Sequence, residues 1–329
     1  MKESDIRPAD LFNDYLALAR EDCQMLLAKK RGFVEVDCPA CAEKQRSVAF
    51  EKLGFKYALC EACETLYASP RPSPELMKEF YSEGKSVAFW SSRFYKETYE
   101  ARREKIFRPR ADRIAKFVEK YGAKPASIVD VGSGYGTLLE EIQCLNLFKT
   151  VIGIEPNAAL AGICKQKGFR VIEAQAEEIP NGTVRAGCVT AFELLEHIFE
   201  PVEFLRSVRS LLDPSGLLVL TTLTSTGFDI QVLWEHSKSV YPPHHLNLLS
   251  LSGMERLMER SGLKILEMST PGHLDVDIVA NALRENPEIH VPRVVLQILR
   301  GAPQTRQSFQ EFLKNNRLSS HVQIVARAC

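Results

Sequence analysis

The stretch from Ser127 to Ile142, SIVDVGSGYGTLLEEI, constrains the fold more than any other part of this chain. Ser-Ile-Val-Asp reads as a short buried strand, because two β-branched apolar residues stand together in it. Gly132, Gly134 and Gly136 follow at alternate positions, and an apolar-periodic run begins at Leu138. A strand, a glycine turn and a helix N-terminus in succession make a ligand cradle. Glycine takes positive φ and admits close approach, and the first N–H groups of the helix are free to meet a ligand. A dinucleotide fingerprint, G-x-G-x-x-G, would need glycine at position 137, where Thr137 stands. That disfavours an NAD oxidoreductase. The pattern is instead D-x-G-x-G-x-G, and Asp130 in front of it would repel a pyrophosphate while suiting an amine-bearing or cationic ligand.

From Ser127 onward short apolar strands alternate with helices, the sign of a parallel α/β sheet. Strands are expected at 127–131, Thr150–Ile154, in FRVIEA, at Ala186–Phe192 and at Gly216–Thr222, with a helix starting near Glu200-Pro201, since proline favours a first turn. SLSGMERLMERSGL reads as a helix, and LKILEMST and HVQIVARA as two closing strands. Between those two, residues 271–317 carry three helical patterns and read as an insertion.

The glycine turn, an acid after strand two (Glu155), Ala176-Glu177 after strand three and Leu195-Glu196-His197 after strand four occur in an order that resembles class I S-adenosylmethionine (SAM) methyltransferases. The resemblance covers roughly residues 125–225. It implies an α/β, Rossmann-like fold: a seven-stranded, mostly parallel sheet with an antiparallel last strand. It also implies a SAM site. Asp130 would hold the methionine amine above Gly132, Gly134 and Gly136, and Glu155 would take both ribose hydroxyls. Pro156, the Ala176 N–H and the Glu177 carboxylate would meet the adenine. Phe192 and Glu193 would border the methionine end and the acceptor. Two plainer readings stay open: Glu155 as a surface acid, and Glu196 and His197 as residues that cap and buttress the following helix.

Ahead of the core, residues from Pro8 to Lys30 are apolar at helical spacing. Two C-x-x-C knuckles follow, Cys38/Cys41 and Cys60/Cys63, separated by eighteen residues that look like a hairpin. Four thiolates in that pattern are a zinc-ribbon signal, and a closed four-cysteine set has no open coordination position, so a structural Zn2+ is expected. A zinc that activates a thiol acceptor, or a redox dithiol, are the competing readings. The remaining five of the nine cysteines are expected as buried thiols. The chain thus divides into an N-terminal helix (1–35), the ribbon (36–72), a helical linker or lid (73–122), the SAM-binding core (123–270), the helical insertion (271–317) and a final core strand (318–329). Arg102, Arg103, Arg108, Arg110 and Arg113 in the linker form either a solvated helix face or an anion site for a phosphorylated or sugar-nucleotide substrate.

Methyl transfer to O–H or C–H needs a base, and the histidines of YPPHHLNLLS (Tyr241–Ser250) are candidates because histidine titrates near neutrality. A zinc ribbon with four cysteines fused to such a core resembles the bacterial nucleotide-sugar C-methyltransferases, which carry Y-x-E-H-x-x-Y-F-S with its His as base. Aligned on Ser250, His245 falls on that His, His244 on the Glu and Pro242 on the Tyr, so one of three acceptor-side residues is kept. The catalytic candidates are therefore His245, His244 and His197, each with a structural alternative. His273, Asp275 and Asp277 would line up as metal ligands on a strand, whereas on a helix Asp275 merely caps the start.

Lys+Arg and Asp+Glu both number 42, which gives a polyanionic partner no overall attraction. No apolar run approaches the ~18 residues of a membrane span, and the charged first residues lack a secretory h-region. A cytoplasmic enzyme acting on a small-molecule or sugar-nucleotide acceptor is the expected class. A ribbon-bearing RNA methyltransferase and a catalytically silent SAM-binding scaffold are the alternatives.

Overall fold

A computed structural model describes residues 2–122 and 126–329. The expected boundary between linker and core, at residue 123, lies outside the described residues. Eleven strands position the site. Three belong to the N-terminal ribbon: β1 (Arg46–Lys52), β2 (Phe55–Cys60) and β3 (Leu66–Ala68). The core contributes β4 (Ser127–Val131), β5 (Thr150–Ile154), β6 (Arg170–Ile172), β7 (Ala186–Phe192), β8 (Leu212–Leu223), β9 (Asn247–Leu248), β10 (Leu263–Ser269) and β11 (His321–Ala328).

The main sheet has seven strands in the order β10-β11-β8-β7-β4-β5-β6. β11 runs antiparallel to both its neighbours, and the pairs among β8, β7, β4, β5 and β6 are parallel. This is the expected Rossmann-like methyltransferase sheet. Ile128, Val129, Cys188, Val189, Leu217 and Leu218 are wholly buried, as strands covered by helices on both faces must be. β8 begins at Leu212 rather than at Gly216, and the expected Asp-Pro-Ser-Gly turn becomes a register irregularity between Leu212 and Leu217. Pairing of Leu212 with Ala186 at the start of both strands overrides the local turn signal.

Helices follow their cues. Ser73 caps the helix Pro74–Glu83 by accepting from the Leu76 N–H, and Asn157 caps Ala158–Gln166 through two N–H groups. Residues 85–121 form one continuous helical segment, with π-turns at Trp90–Phe94 and Arg103–Phe107, that ends at Gly122 in the left-handed conformation. The insertion holds three helices: Asp275–Glu285, Arg293–Arg300 and Pro303–Asn315. Asp275 lies in a first turn, buried, accepting from Ser319 Oγ (2.6 Å), the Ser320 N–H (2.7 Å) and Gln310 Nε2 (2.7 Å). Asp277 accepts from the Glu3 N–H (2.7 Å) instead. The strand-borne metal set of His273, Asp275 and Asp277 does not form, because helical geometry turns alternate residues apart.

Three of the five scattered cysteines, Cys23, Cys164 and Cys188, are buried, whereas Cys144 and Cys329 are exposed. Cys144 ends a helix and Cys329 lies just past the strand His321–Ala328, and both side chains face outward.

The ribbon is built into the core. β9, from the histidine loop, pairs antiparallel with β3 and extends the ribbon sheet to four strands. Cys38, Ala40, Cys60 and Tyr67 share one apolar cluster with Val129, Leu249 and Met254. No described helix is long and apolar enough to cross a membrane.

Among the described glycines, Gly227 stands tightest against another stretch of backbone, since a Cβ there would lie 2.0 Å from Ser320 Cα. Gly227→Ala should lower the free energy of unfolding in urea by about 1–3 kcal/mol or more, because the backbone ahead of β11 cannot yield.

Candidate functional site

The C-terminal ends of β4, β5, β7 and β8 open on one side of the sheet, where parallel α/β folds place their ligands. β4 delivers Asp130 and the glycine turn. Gly132 and Gly134 have φ of +72° and +53°, a region L-residues rarely enter, and a Cβ on Gly132 would strike the Leu194 side chain at 2.8 Å. β5 delivers Glu155, which is buried: Oε2 accepts from the Gly134 N–H (2.7 Å) and Oε1 from the Asn157 N–H (2.9 Å). It is not a surface acid. Burial raises its pKa, and the two N–H bonds oppose that rise. Asp130 is also buried, accepts from Thr190 Oγ1 (2.6 Å), and is pushed up to about 7 by loss of water.

Around these, Ala176 is buried in the turn Ala176–Glu178, while Glu177 and Pro156 are exposed beside it. Phe192 lies under the Arg110 guanidinium at 5.0 Å. Glu193 follows with φ +54° and accepts from Arg110 Nη2 (2.6 Å) and Thr221 Oγ1 (2.6 Å), with His321 Nδ1 at 3.5 Å. Burial works against its charge, but His321, Arg110 and Thr221 outweigh it and hold Glu193 down to about 2. Arg110 is thus neither a solvated face nor a free anion site. Its partner is internal.

The histidine loop meets this site from above. His197 donates from Nδ1 to the His244 carbonyl (2.8 Å) and His245 donates from Nδ1 to the Ser239 carbonyl (2.6 Å), so each leaves Nε2 as an acceptor. The two rings pack edge to face at 5.0 Å. Ligand atoms of Glu196, His197 and His245 lie within 4.8 Å of one another, close enough to share one cation. Glu196 is buried and accepts from Thr222 Oγ1 (2.7 Å).

Two expectations for the histidines need correction. His245 does not titrate near neutrality: burial, then the neighbouring His197, push it down to about 3. It is neutral at physiological pH and offers a lone pair of low basicity. The His244 ring is committed elsewhere, with Nε2 2.9 Å from Ser86 Oγ and the ring packed against Tyr15 and Phe80. Ser86 is itself bound to the buried Asp22.

The four cysteines converge as well. Sγ of Cys38 and Cys63 are 3.6 Å apart, as are those of Cys41 and Cys60, and all four lie within 4.8 Å of one another. A tetrahedral ion with Zn–S bonds of ~2.3 Å places its sulfurs ~3.8 Å apart, so the set fits zinc. The knuckles close identically: the Cys38 carbonyl accepts from Ala42 N–H and the Cys60 carbonyl from Glu64 N–H, with Ala42 and Glu64 both left-handed.

The methyltransferase domain family matches residues 99–268, more than half of the chain. The chain belongs to this family. Among curated relatives, a ubiquinone biosynthesis O-methyltransferase of Xanthomonas campestris pv. campestris is 37% identical over 125 residues, 36% of this chain and 50% of the relative. One of Xanthomonas euvesicatoria pv. vesicatoria is 27% identical over 158 residues, 44% of this chain and 65% of the relative. The chain therefore spans between half and two thirds of the length of these relatives. Among solved structures, an S-adenosylmethionine-dependent methyltransferase from Clostridium acetobutylicum aligns with TM-score 0.49 at 9% identity, over 71% of this chain and 98% of that one. The plantazolicin methyltransferase BpumL aligns with TM-score 0.49 at 16% identity, over 77% and 93%.

Thr190, Thr221 and His321 carry no motif and were not among the expected site residues, and Arg110 was expected only on a solvated face or in an anion site. Only Arg110 had a signal, as one of several arginines.

The raised pKa of Asp130 makes stability depend on pH. Its carboxyl loses its proton near 3.9 when unfolded but at about 7 when folded. The native state therefore keeps the proton longer, and the stability this provides is lost as pH rises between those values. Urea unfolding of the ligand-free protein at pH 5 and pH 7.5 should show that decline in wild type and a flatter profile in Asp130→Asn.

Proposed function

We propose that this chain transfers the methyl group of SAM to a small-molecule acceptor, by in-line attack on the sulfonium carbon. The buried Glu155 carboxylate, held against the glycine turn and beside Asp130, is the observation that carries the reading. A carboxylate with two fixed oxygens at the end of β5 suits a ribose diol, and Asp130 suits the methionine ammonium. Gly132, Gly134 and Gly136 leave room for the amino-acid part. Ala176, Glu177 and Pro156 border the adenine, and Phe192 and Glu193 the sulfonium end. SAM supplies an activated methyl group; the protein has mainly to align the acceptor and exclude water.

Glu196, His197 and His245 would face the entering acceptor, and His245 Nε2 would accept a hydrogen bond that orients the acceptor hydroxyl. The names of the curated relatives favour a hydroxyl acceptor. The finer reading, a carbohydrate-type or sugar-nucleotide acceptor, is supported by His245 and by the cysteine-held ribbon that joins its loop. Cys38, Cys41, Cys60 and Cys63 would hold one structural Zn2+, which closes the ribbon and leaves no coordination site for substrate.

Calorimetry with S-adenosylhomocysteine tests the cofactor site. Wild type should bind, Gly134→Val should abolish binding, and Glu155→Ala should weaken it about ten-fold or more. Absence of binding by wild type would end the reading. Because the ammonium pairs with the ionised Asp130, affinity should fall as pH drops through about 7, to about ten-fold weaker at pH 6 than at pH 8. In Asp130→Asn that dependence should vanish.

Metal analysis of the purified protein should return one zinc per chain. Cys60→Ser should lose it together with several degrees of thermal stability.

A further inference from the structure

The residues ahead of the first long helix form a strap between two distant parts of the chain. The Glu3 N–H donates to Asp277 (2.7 Å), Asn281 Nδ2 donates to Glu3 Oε2 (2.9 Å), and Lys105 pairs with Asp5 at 2.8 Å. The strap therefore joins the insertion helix Asp275–Glu285 to the π-turn Arg103–Phe107, and its last residue is Arg7. The Arg7 guanidinium lies 5.4 Å from the centre of the Phe12 ring, and its nearest acid, Glu3, is 3.9 Å away. Arg7 Nε is buried and makes no hydrogen bond among the described residues. Arg102 is in the same position: its Nε is buried without a partner, and no carboxylate pairs with it among the described residues.

These two differ from the arginines near them. Arg103 and Arg108 both pair with Glu141, and Arg110 pairs with Glu193. The charge of Arg7 disfavours that of Arg102, and both are felt by Glu193. Arg7 also acts on His245. Arg102 and Arg110 both lie 5.9 Å from the centre of the Phe107 ring and Arg110 pairs with Glu193, which sets Arg102 on the Glu193 side, and the Lys105–Asp5 pair holds the strap that ends at Arg7 against the same helical segment. A buried donor on a charged group that lacks an acceptor is costly, and two of them at one mouth are expected where a ligand brings the missing charge.

We propose that Arg7 and Arg102 bind an acidic group of the methyl acceptor, a carboxylate or a phosphate, so that the substrate is an anionic small molecule clasped by the N-terminal strap. This rests on the SAM-methyltransferase reading, with the methionine carboxylate of the cofactor as the other source of such a charge. Two planar guanidinium forks suit either group.

The test uses the full chain saturated with S-adenosylhomocysteine, titrated calorimetrically with pyrophosphate and with benzoate at ionic strength held constant with KCl. At least one anion should bind saturably to wild type. Arg7→Gln and Arg102→Gln should each weaken it about ten-fold or more, Arg7→Lys less, and Arg103→Gln not at all. S-adenosylhomocysteine affinity should stay within about two-fold throughout. Saturation with the cofactor product but no binding of either anion overturns the inference and leaves the methyltransferase reading intact. So does equal anion binding by both Gln variants. Loss of S-adenosylhomocysteine affinity in Arg102→Gln with anion binding unchanged would assign that guanidinium to the cofactor and overturn the acceptor assignment. Failure of wild type to bind S-adenosylhomocysteine would remove the methyltransferase reading itself.

Discussion

The arrangement of the acceptor side depends on one buried hydrogen-bond node at Asn247. Its side-chain oxygen accepts from Arg71 (2.8 Å), and its amide nitrogen donates to the carbonyls of Leu195 (3.1 Å) and Ile198 (2.6 Å). Arg71 also donates to the Phe199 carbonyl (2.7 Å) and stacks on the Phe199 ring. The Glu196 carbonyl accepts from the N–H groups of Leu246 and Asn247. Ribbon exit, Leu-Glu-His loop and histidine loop are thereby tied at one point. The Asn247 and Arg71 side chains are buried, so any alternative arrangement would leave unpaired donors and acceptors, each costing about 1–3 kcal/mol.

That node explains why a small cysteine-held ribbon accompanies this core. β9 gives its backbone to the ribbon sheet and its Asn247 side chain to the Leu-Glu-His loop. Tyr57 in β2 donates to the His245 carbonyl (2.8 Å), so the ribbon also orients the loop that bears the proposed acceptor contact. The four cysteines close the ribbon from its far end, beneath Ser250 and the helix Leu251–Arg260 that follows.

Electrostatics separate the two halves of the site. On the cofactor side acids prevail, Asp130 and Glu155, both buried and both raised in pKa by burial. A ligand with a positive amine and sulfonium restores the balance. On the acceptor side Glu193 is neutralised by Arg110, burial holds His197, His245 and His321 down in pKa, and Arg7 and Arg102 keep buried donors without partners among the described residues. One half holds buried acids and the other holds buried guanidinium N–H groups without acceptors among the described residues.

Much of the cofactor half was legible in the sequence. Glycines that take positive φ, an acid at a strand end and β-branched strands are local properties, and so are two C-x-x-C knuckles. Asp130, Glu155 and the four cysteines consequently stand where spacing put them. The acceptor half was not legible in the same way. Histidine in a loop has no intrinsic pKa beyond its ordinary value, and only burial and the neighbouring His197 drive His245 down, against the Ser239 carbonyl that raises it, while packing sets His244 against Ser86. Arg7 lies more than ninety residues from Arg102 along the chain, and no pattern relates them. The sequence by itself determined the sheet, the glycine turn and the four-cysteine cluster, because those follow from backbone permissiveness, periodicity and knuckle spacing. Tertiary structure alone decided which charges find partners and which do not, because burial and long-range contact set the cost of each.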